Sequence, residues 1–200
     1  MPMVTILKTG LANLASVRAA FERIGVPTMV TNDPKSVRDA ERLVVPGVGS
    51  YGEAMTRLDA AKLTAPLAAR IARGEPTLGI CLGLQIFGSG SDESPGVAGL
   101  GCVHMRTTGF NATVLSPQMG WNRVMPSPGS QLIESGHAYF ANSFRFATIP
   151  AGWTGATAEY GGPLVAALER GAVLGCQFHP ELSGTYGERL IERWMEVKPC

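Results

Sequence analysis

The sequence predicts an α/β fold: an open, doubly wound, mostly parallel sheet with helices on both faces, plus antiparallel strands in the second half of the chain. Two observations lead to this prediction. Up to residue 81, short apolar runs alternate with amphipathic segments, which is the rhythm of β-α-β units in parallel sheets. From residue 100 to 174 the segments are short and rich in Gly, Pro and Thr, which is typical of hairpins and antiparallel strands.

The individual elements follow from hydrophobic periodicity and from cap residues. We predict strands at residues 4–7, 27–31, 43–45, 76–78 and 172–176. Asn13 is a good N-cap, and the apolar spacing behind it predicts a helix that ends at Gly25. Further helices are predicted near residues 35–41, 54–59, 63–73 and 84–87, with a C-terminal helix beyond residue 186. Residues 88–99 and 126–130 are predicted to be loops.

Length and composition narrow the class of protein. A chain of 200 residues without an internal linker predicts one domain, residues 1–200. The net charge is +1 with no charged run, so nothing indicates a nucleic acid or an anionic membrane as partner. No apolar stretch could span a bilayer and the start lacks a signal-peptide pattern, which predicts a cytoplasmic protein. The four cysteines have neither disulfide nor zinc spacing, so we expect no metal site and no cofactor.

Cys81 lies between Gly79 and Gly83, after a predicted strand and before a predicted helix. A nucleophile between two glycines at such a corner forms the elbow of α/β hydrolases, here with a thiol instead of a hydroxyl. The glycines allow a strained turn, and the helix N-terminus favours the thiolate. On its own the motif is equally compatible with a small buried apolar residue.

His179 and Glu181 offer the base and the group that orients it. Both follow a predicted strand, and their spacing places both side chains on one side of an extended segment. A thiol nucleophile needs such a pair, whereas the dipeptide context alone would also suit a surface turn. Together with Cys81 the three residues predict a catalytic triad at the ends of two strands of one sheet.

A glycine-rich loop follows the third predicted strand, with Gly47, Val48 and Gly49 at its centre. Attack on an amide carbonyl creates an oxyanion that needs backbone N–H donors. The loop could supply one donor and Leu82, at the helix start, another. A nucleotide P-loop is disfavoured because no Gly-Lys-Ser/Thr follows, while a simple tight turn stays open.

Three motifs together resemble class I (triad) glutamine amidotransferases. They are residues 46–49 (PGVG), 79–85 (GICLGLQ) and 178–181 (FHPE). Residues 117–122 (PQMGWN), 91–101 (SDESPGVAGLG) and 139–143 (YFANS) resemble, within that class, the glutaminase subunits of imidazole glycerol phosphate synthase, an enzyme of histidine biosynthesis. The resemblance covers nearly the whole chain and implies a flavodoxin-like fold.

The resemblance also implies roles for individual residues. Cys81, His179 and Glu181 would hydrolyse glutamine to glutamate and ammonia. The residues that would bind the substrate are Gly47, Val48, Gly49, Leu82, Gln85 and Ser143. Ammonia would pass to a separate cyclase, a (β/α)₈ barrel, in a heterodimer. The residues that would meet this partner are Asn13, Gln118, Met119, Trp121 and Asn122, and the peptide of Val48 would reorient when the partner docks.

Three positions differ from the usual pattern of this family. Ala12 replaces a glycine, Leu182 a lysine and Phe144 a tyrosine. Two other functions therefore stay open: a paralogue that feeds ammonia to a different barrel synthase, such as one acting on a sugar nucleotide, and a catalytically silent scaffold subunit. The intact triad disfavours the scaffold. A stand-alone cysteine hydrolase is disfavoured because it would leave residues 117–122 without a purpose.

Overall fold

A computed structural model describes residues 3–10 and 12–198. The strands are β1 Val4–Leu7, β2 Thr28–Thr31, β3 Arg42–Gly47, β4 Thr77–Cys81, β5 Gly90–Ser91, β6 Arg106–Gly109, β7 Gln118–Pro126, β8 Gly136–Asn142, β9 Phe144–Arg145, β10 Thr154–Glu159, β11 Pro163–Arg170 and β12 Val173–Cys176. The helices are α1 Leu14–Arg23, α2 Pro34–Asp39, α3 Tyr51–Ala60, α4 Thr64–Ala72, α5 Leu82–Gln85 and α6 Gly184–Glu196, with a 3₁₀ turn at Pro180–Leu182.

One nine-stranded sheet dominates the fold, in the order β2-β1-β3-β4-β12-β11-β10-β7-β8. The first five strands in this order pair in parallel, and the remaining pairs are antiparallel. The predicted combination of a parallel core with antiparallel strands is confirmed. Strands β5, β6 and β9 form a small second sheet.

Helices cover both faces of the parallel strands, which confirms the predicted layering. Neighbouring residues of β3 show this, because Val44 packs into a core with α1 and α6, whereas Leu43 and Val45 pack into a core with α3 and α4. The central strands are buried on both faces, as parallel strands between helices are. Among the described residues, none of the helices combines the length and apolarity needed to cross a membrane.

The structure corrects three local predictions. Residues 88–99 are not entirely loop, because Gly90–Ser91 pairs with β6. The predicted helix 84–87 begins at Leu82, directly behind Cys81, and has only four residues. His179 and Glu181 are not joined by an extended segment, because a 3₁₀ turn begins at Pro180. All three depend on pairing and packing with distant residues, which local periodicity does not report.

Candidate active site

Cys81 sits at the corner between β4 and α5 in a left-handed backbone conformation, with φ of 54°. A non-glycine residue there is strained, and the two neighbouring glycines make the corner possible. A Cβ on Gly79 would lie 2.8 Å from the carbonyl oxygen of Gly83, and a Cβ on Gly83 would overlap the carbonyl oxygen of Val45. The predicted elbow geometry is therefore present in the fold. Because α5 has only four residues, its dipole is small. The side chains around Sγ of Cys81 therefore matter more for the charge of the sulfur than the helix does.

His179 approaches Cys81 from the end of the neighbouring strand β12. Its Nδ1 lies 2.8 Å from Oε1 of Glu181. Its side chain is also hydrogen-bonded to that of Cys81, and Nε2 is the ring nitrogen left to make this bond. All three side chains are buried. Burial opposes the charged imidazolium, but the hydrogen bonds to Cys81 and Glu181 outweigh it and raise the pKa of His179 to about 10. His179 is thus held as an imidazolium at neutral pH, beside the thiol.

Backbone contacts with β8 fix the position of His179. Its N–H donates to the carbonyl oxygen of Tyr139 at 2.9 Å. The hydroxyl of Ser183 donates to the carbonyl oxygen of His179 at 2.6 Å and accepts from the N–H of Tyr139 at 3.0 Å. Sequence reasoning missed Ser183, since a serine in a turn carries no signal of a contact 44 residues away.

A cleft of about 300 Å³ opens in front of Cys81 and His179. Most of the residues predicted to bind substrate line it. The lining residues are Val48, Gly49, Cys81, Leu82, Gln85, Glu93, Pro117, Ala141, Asn142, Ser143, Phe144 and His179. Its size suits a small polar molecule. Tertiary packing therefore gathers loops and strand ends from distant parts of the chain around the thiol.

The predicted oxyanion donors lie at one end of the cleft. Val48 is 42% exposed, and Gly49 adopts a φ of 93° that favours glycine. Leu82 is the first residue of α5, so its N–H has no partner within that helix. Gly47 lies outside the lining of the cleft: it pairs with Cys81 across β3 and β4. A Cβ there would lie 3.0 Å from that of Leu82, so Gly47 allows the end of β3 to pack closely against the start of α5.

Two polar side chains of the cleft are held firmly. The amide of Gln85 donates to the carbonyl oxygen of Phe144 at 2.9 Å and to Oε1 of Gln177 at 3.0 Å. Oε2 of Glu93 accepts from the N–H of Tyr51, the first residue of α3, at 2.9 Å. Sequence reasoning missed Glu93 as a lining residue, although residues 91–101 had been noted for their family resemblance. It brings a carboxylate into the cleft.

A second cavity, of about 220 Å³, lies behind the first. It shares Val48, Ala141 and His179 with the cleft and adds Asn13, Leu182 and Glu181 to its lining. Oε2 of Glu181 is buried and has no hydrogen-bond partner within the described part of the chain. The two cavities therefore meet at Val48, Ala141 and His179.

The residues predicted to meet a partner fall into two groups. Met119 and Trp121 are 65% and 59% exposed and project from the same face of β7, because side chains alternate along a strand. Asn13 is also exposed and caps α1. Gln118, in contrast, is 2% exposed, and Asn122 is half-buried with its amide on the carbonyl oxygen of Glu159. The alternation turns these two away from the exposed face.

Comparison with known proteins shows the family to which the chain belongs. The family described as glutamine amidotransferase class-I matches residues 8–196, and the chain belongs to this family. A crystal structure of a glutamine amidotransferase has the same fold, with a TM-score of 0.77 at 21% identity over 96% of this chain and 97% of that one. So does PurLQS from Thermotoga maritima, with a TM-score of 0.70 at 18% identity over 97% of each chain.

Curated relatives narrow the class to one enzyme. The chain is 38% identical over 198 residues, 98% of each chain, to imidazole glycerol phosphate synthase subunit HisH of Methanothermobacter thermautotrophicus. It is 40% identical over 201 residues, 97% of this chain and 99% of the relative, to the HisH subunit of Escherichia coli K12. Within the class, the chain is a member of the HisH subunit family.

Proposed function

We propose that this chain, as one domain over residues 1–200, is the glutaminase subunit of imidazole glycerol phosphate synthase in histidine biosynthesis. It hydrolyses glutamine to glutamate and ammonia and passes the ammonia to a separate cyclase subunit. The observation that carries the proposal is the buried chain of hydrogen bonds from Glu181 through His179 to Cys81, at the wall of a cleft. The cysteines that the structure describes are free, which suits the reducing cytoplasm.

Substrate binding uses the charge in the cleft. Glu93 offers its carboxylate to the α-ammonium group of glutamine, since opposite charges attract strongly where water is partly excluded. The side-chain amide of glutamine then extends toward Cys81. Gln85 and Ser143 line the path between them, and the anchored amide of Gln85 gives the cleft a fixed polar wall.

Acylation begins when the thiolate of Cys81 attacks the amide carbon of the substrate. A carbon–sulfur bond forms, and the π electrons of the carbonyl move to its oxygen. The N–H groups of Leu82 and of the loop at Val48 and Gly49 stabilise this oxyanion. The His179 imidazolium gives its proton to the departing nitrogen, the carbon–nitrogen bond breaks, and ammonia and a thioester result.

Hydrolysis of the thioester restores the enzyme. Neutral His179 takes a proton from water, and the hydroxide adds to the thioester carbon. The carbon–sulfur bond breaks, the electron pair returns to Sγ of Cys81, and glutamate leaves. Glu181 holds the imidazole through Nδ1 and stabilises its charged form in both half-reactions.

The second cavity is the proposed exit for ammonia. It begins at His179, where ammonia is released, and is lined farther out by Asn13 and Leu182. The (β/α)₈ cyclase docks on this side, over the exposed face of β7 with Met119 and Trp121, to form a heterodimer. There ammonia enters the synthesis of imidazole glycerol phosphate and aminoimidazole carboxamide ribonucleotide. Val48 lines both cavities, so docking that turns its peptide would gate the glutaminase.

The test is glutamate release from glutamine by the purified chain, alone and with the cyclase of the same organism and its ribonucleotide ligand. We expect strong stimulation by the liganded cyclase and its complete loss in Cys81→Ala. Cys102→Ala is the matched control, because this thiol contacts the carbonyl oxygens of Ala68 and Leu100, away from the cleft. Stimulation only by a sugar-nucleotide synthase would support the paralogue instead. If the chain releases no glutamate with any of these partners, the proposed glutaminase activity is refuted.

A further inference from the structure

Gln177 is brought next to the nucleophile by strand register. In the parallel pair β12–β4, Cys176 lies opposite Ile80, so the next residues along the two chains, Gln177 and Cys81, are neighbours. The N–H of Gln177 continues the sheet by donating to the carbonyl oxygen of Ala166 at 2.8 Å. The side chain is fully buried, at 0% exposure. Because this side chain has no exposed surface, it can affect a bound substrate only through the residues that it contacts.

The orientation of its amide follows from a chain of hydrogen bonds. The carbonyl oxygen of Phe144 can only accept, so the group of Gln85 that contacts it at 2.9 Å is the NH₂ group. The same NH₂ group contacts the side chain of Gln177 at 3.0 Å, which must present its oxygen. The NH₂ group of Gln177 then faces Sγ of Cys81, at 3.6 Å. A backbone carbonyl thus determines which end of Gln177 faces the sulfur.

We propose that Gln177 is a positioning residue for the proposed glutaminase reaction, and that its amide N–H holds Sγ of Cys81 as a thiolate aimed into the cleft. A donor directed at the sulfur stabilises the anion more than the neutral thiol. The neutral thiol has a different partner, since Sγ can donate to the carbonyl oxygen of Ala141 at 3.8 Å. Gln177 and Ala141 therefore favour opposite protonation states of one side chain.

Other titratable groups lie near Sγ of Cys81 and also affect its protonation state. His179 contacts Sγ directly, with Glu181 behind it. Glu93 lines the same cleft. Cys176 precedes Gln177 in the chain, and burial raises the pKa of its thiol well above the usual value. Because none of these groups is removed by a change at Gln177, the contribution of its N–H can be measured separately.

The experiment compares the wild-type chain with Gln177→Met, which keeps an unbranched side chain but has no N–H donor. Iodoacetamide alkylation is followed at the Cys81 peptide by mass spectrometry as a function of pH. We expect the midpoint of the alkylation profile to move up by about one pH unit, as loss of one hydrogen bond to a charged group predicts. With the cyclase present, kcat should fall roughly tenfold and KM much less, because Gln85 loses its acceptor on Gln177 but keeps the carbonyl oxygen of Phe144.

Thr77→Val is the control for a general loss of stability. Thr77 is equally buried and lies at the other end of β4, where its hydroxyl bonds to the carbonyl oxygen of Glu75 at 2.9 Å. An unchanged midpoint in Gln177→Met, or an equal shift in Thr77→Val, overturns the proposal. If Gln177→Met does not fold, NMR of the wild type decides. The side-chain amide of Gln177 must then titrate with the alkylation midpoint of Cys81, and an amide that does not titrate overturns the proposal.

Alkylation needs neither the cyclase nor turnover. A wild-type chain that releases no glutamate with any partner would therefore reject the proposed function and still leave the role of Gln177 decided by the alkylation profile. Conversely, if the enzyme is active but the alkylation profile does not change in Gln177→Met, only the proposed role of Gln177 is rejected.

Discussion

The parallel and antiparallel halves of the large sheet differ in how deeply their strands are buried and in the residues that they present. Strands β4 and β12 are buried on both faces, and at their carboxyl ends lie Cys81 and His179, the proposed nucleophile and base. Strand β7, in the antiparallel half, alternates between buried and exposed positions and presents Met119 and Trp121 to solvent. A strand end buried on both faces can hold side chains in a fixed geometry, whereas a strand with one exposed face leaves a surface to which the proposed partner would bind.

Strand β8, at the antiparallel edge of the sheet, contacts the segment that follows β12 in the parallel half. Tyr139 of β8 stacks edge-on against Trp121, with ring centroids 6.2 Å apart. Its backbone holds His179 through the bonds described above. A partner seated on the exposed face of β7 would thus contact Trp121, which stacks on a residue hydrogen-bonded to His179. The comparison predicts that damage to the parallel half abolishes chemistry, while damage to β7 weakens docking.

The largest expected effect is that of Gly83→Ala, in the parallel half. Its Cβ would overlap the carbonyl oxygen of Val45, and backbone cannot move aside as a flexible side chain can. We expect a loss of about 3 kcal/mol or more in the free energy of unfolding, and no measurable glutaminase activity. Urea denaturation measures the first and glutamate release the second. Gly109→Ala is the control, since its Cβ would meet Phe144 at an ordinary 3.8 Å; equal stabilities of the two variants would contradict the packing argument.

Glu181→Gln tests the chemistry without changing volume. The variant loses the carboxylate that helps to raise the pKa of His179, so that pKa should fall. We expect kcat for partner-stimulated glutamate release to decrease by roughly a hundredfold, with a larger deficit at pH 9 than at pH 6, because the variant loses its imidazolium earlier. Retention of full kcat across this range would remove Glu181 from the triad.

Trp121→Ala tests the antiparallel half. The indole is mostly exposed, so stability should change by less than about 1 kcal/mol. We expect the Kd for the cyclase to rise about thirtyfold, the effect of losing one aromatic anchor. Isothermal titration calorimetry measures it. Val30→Ala, a partly exposed apolar residue of β2 at the far edge of the sheet, is the control, and an equal effect of both variants would place the interface elsewhere.

The smallest effect concerns the charge of His179 across neutral pH. The pKa of His179 is raised from 6.5 to about 10 in the folded chain. Between about pH 6.5 and 9, the ring ¹⁵N chemical shifts should therefore show a charged imidazolium in the folded wild type, whereas the chain unfolded in urea should show a neutral ring. A neutral His179 ring in the folded chain over this range would show that the imidazolium is not stabilised by the fold.

Much of the fold was predictable because its signals are local. The alternation of apolar runs and amphipathic segments predicted the parallel core, and Asn13 was recognised as a cap that the structure shows bonded to Ser16. The short strand Gly90–Ser91 was missed because its two residues gain strand geometry only by pairing with β6. The start of α5 was misplaced because the strain at Cys81 depends on packing against β3.

The sequence alone determined the chemistry: a thiol between glycines, a histidine with a carboxylate two residues on, and motifs in an order that indicates the class. Each of these motifs spans only a few consecutive residues, so its internal spacing carries the information. Tertiary structure alone decided that Glu93 lines the cleft, that Gln118 faces inward and that Gln177 turns its amide toward the sulfur. Those outcomes depend on strand register and loop path, because each contact joins residues that are neighbours in space and distant in the chain.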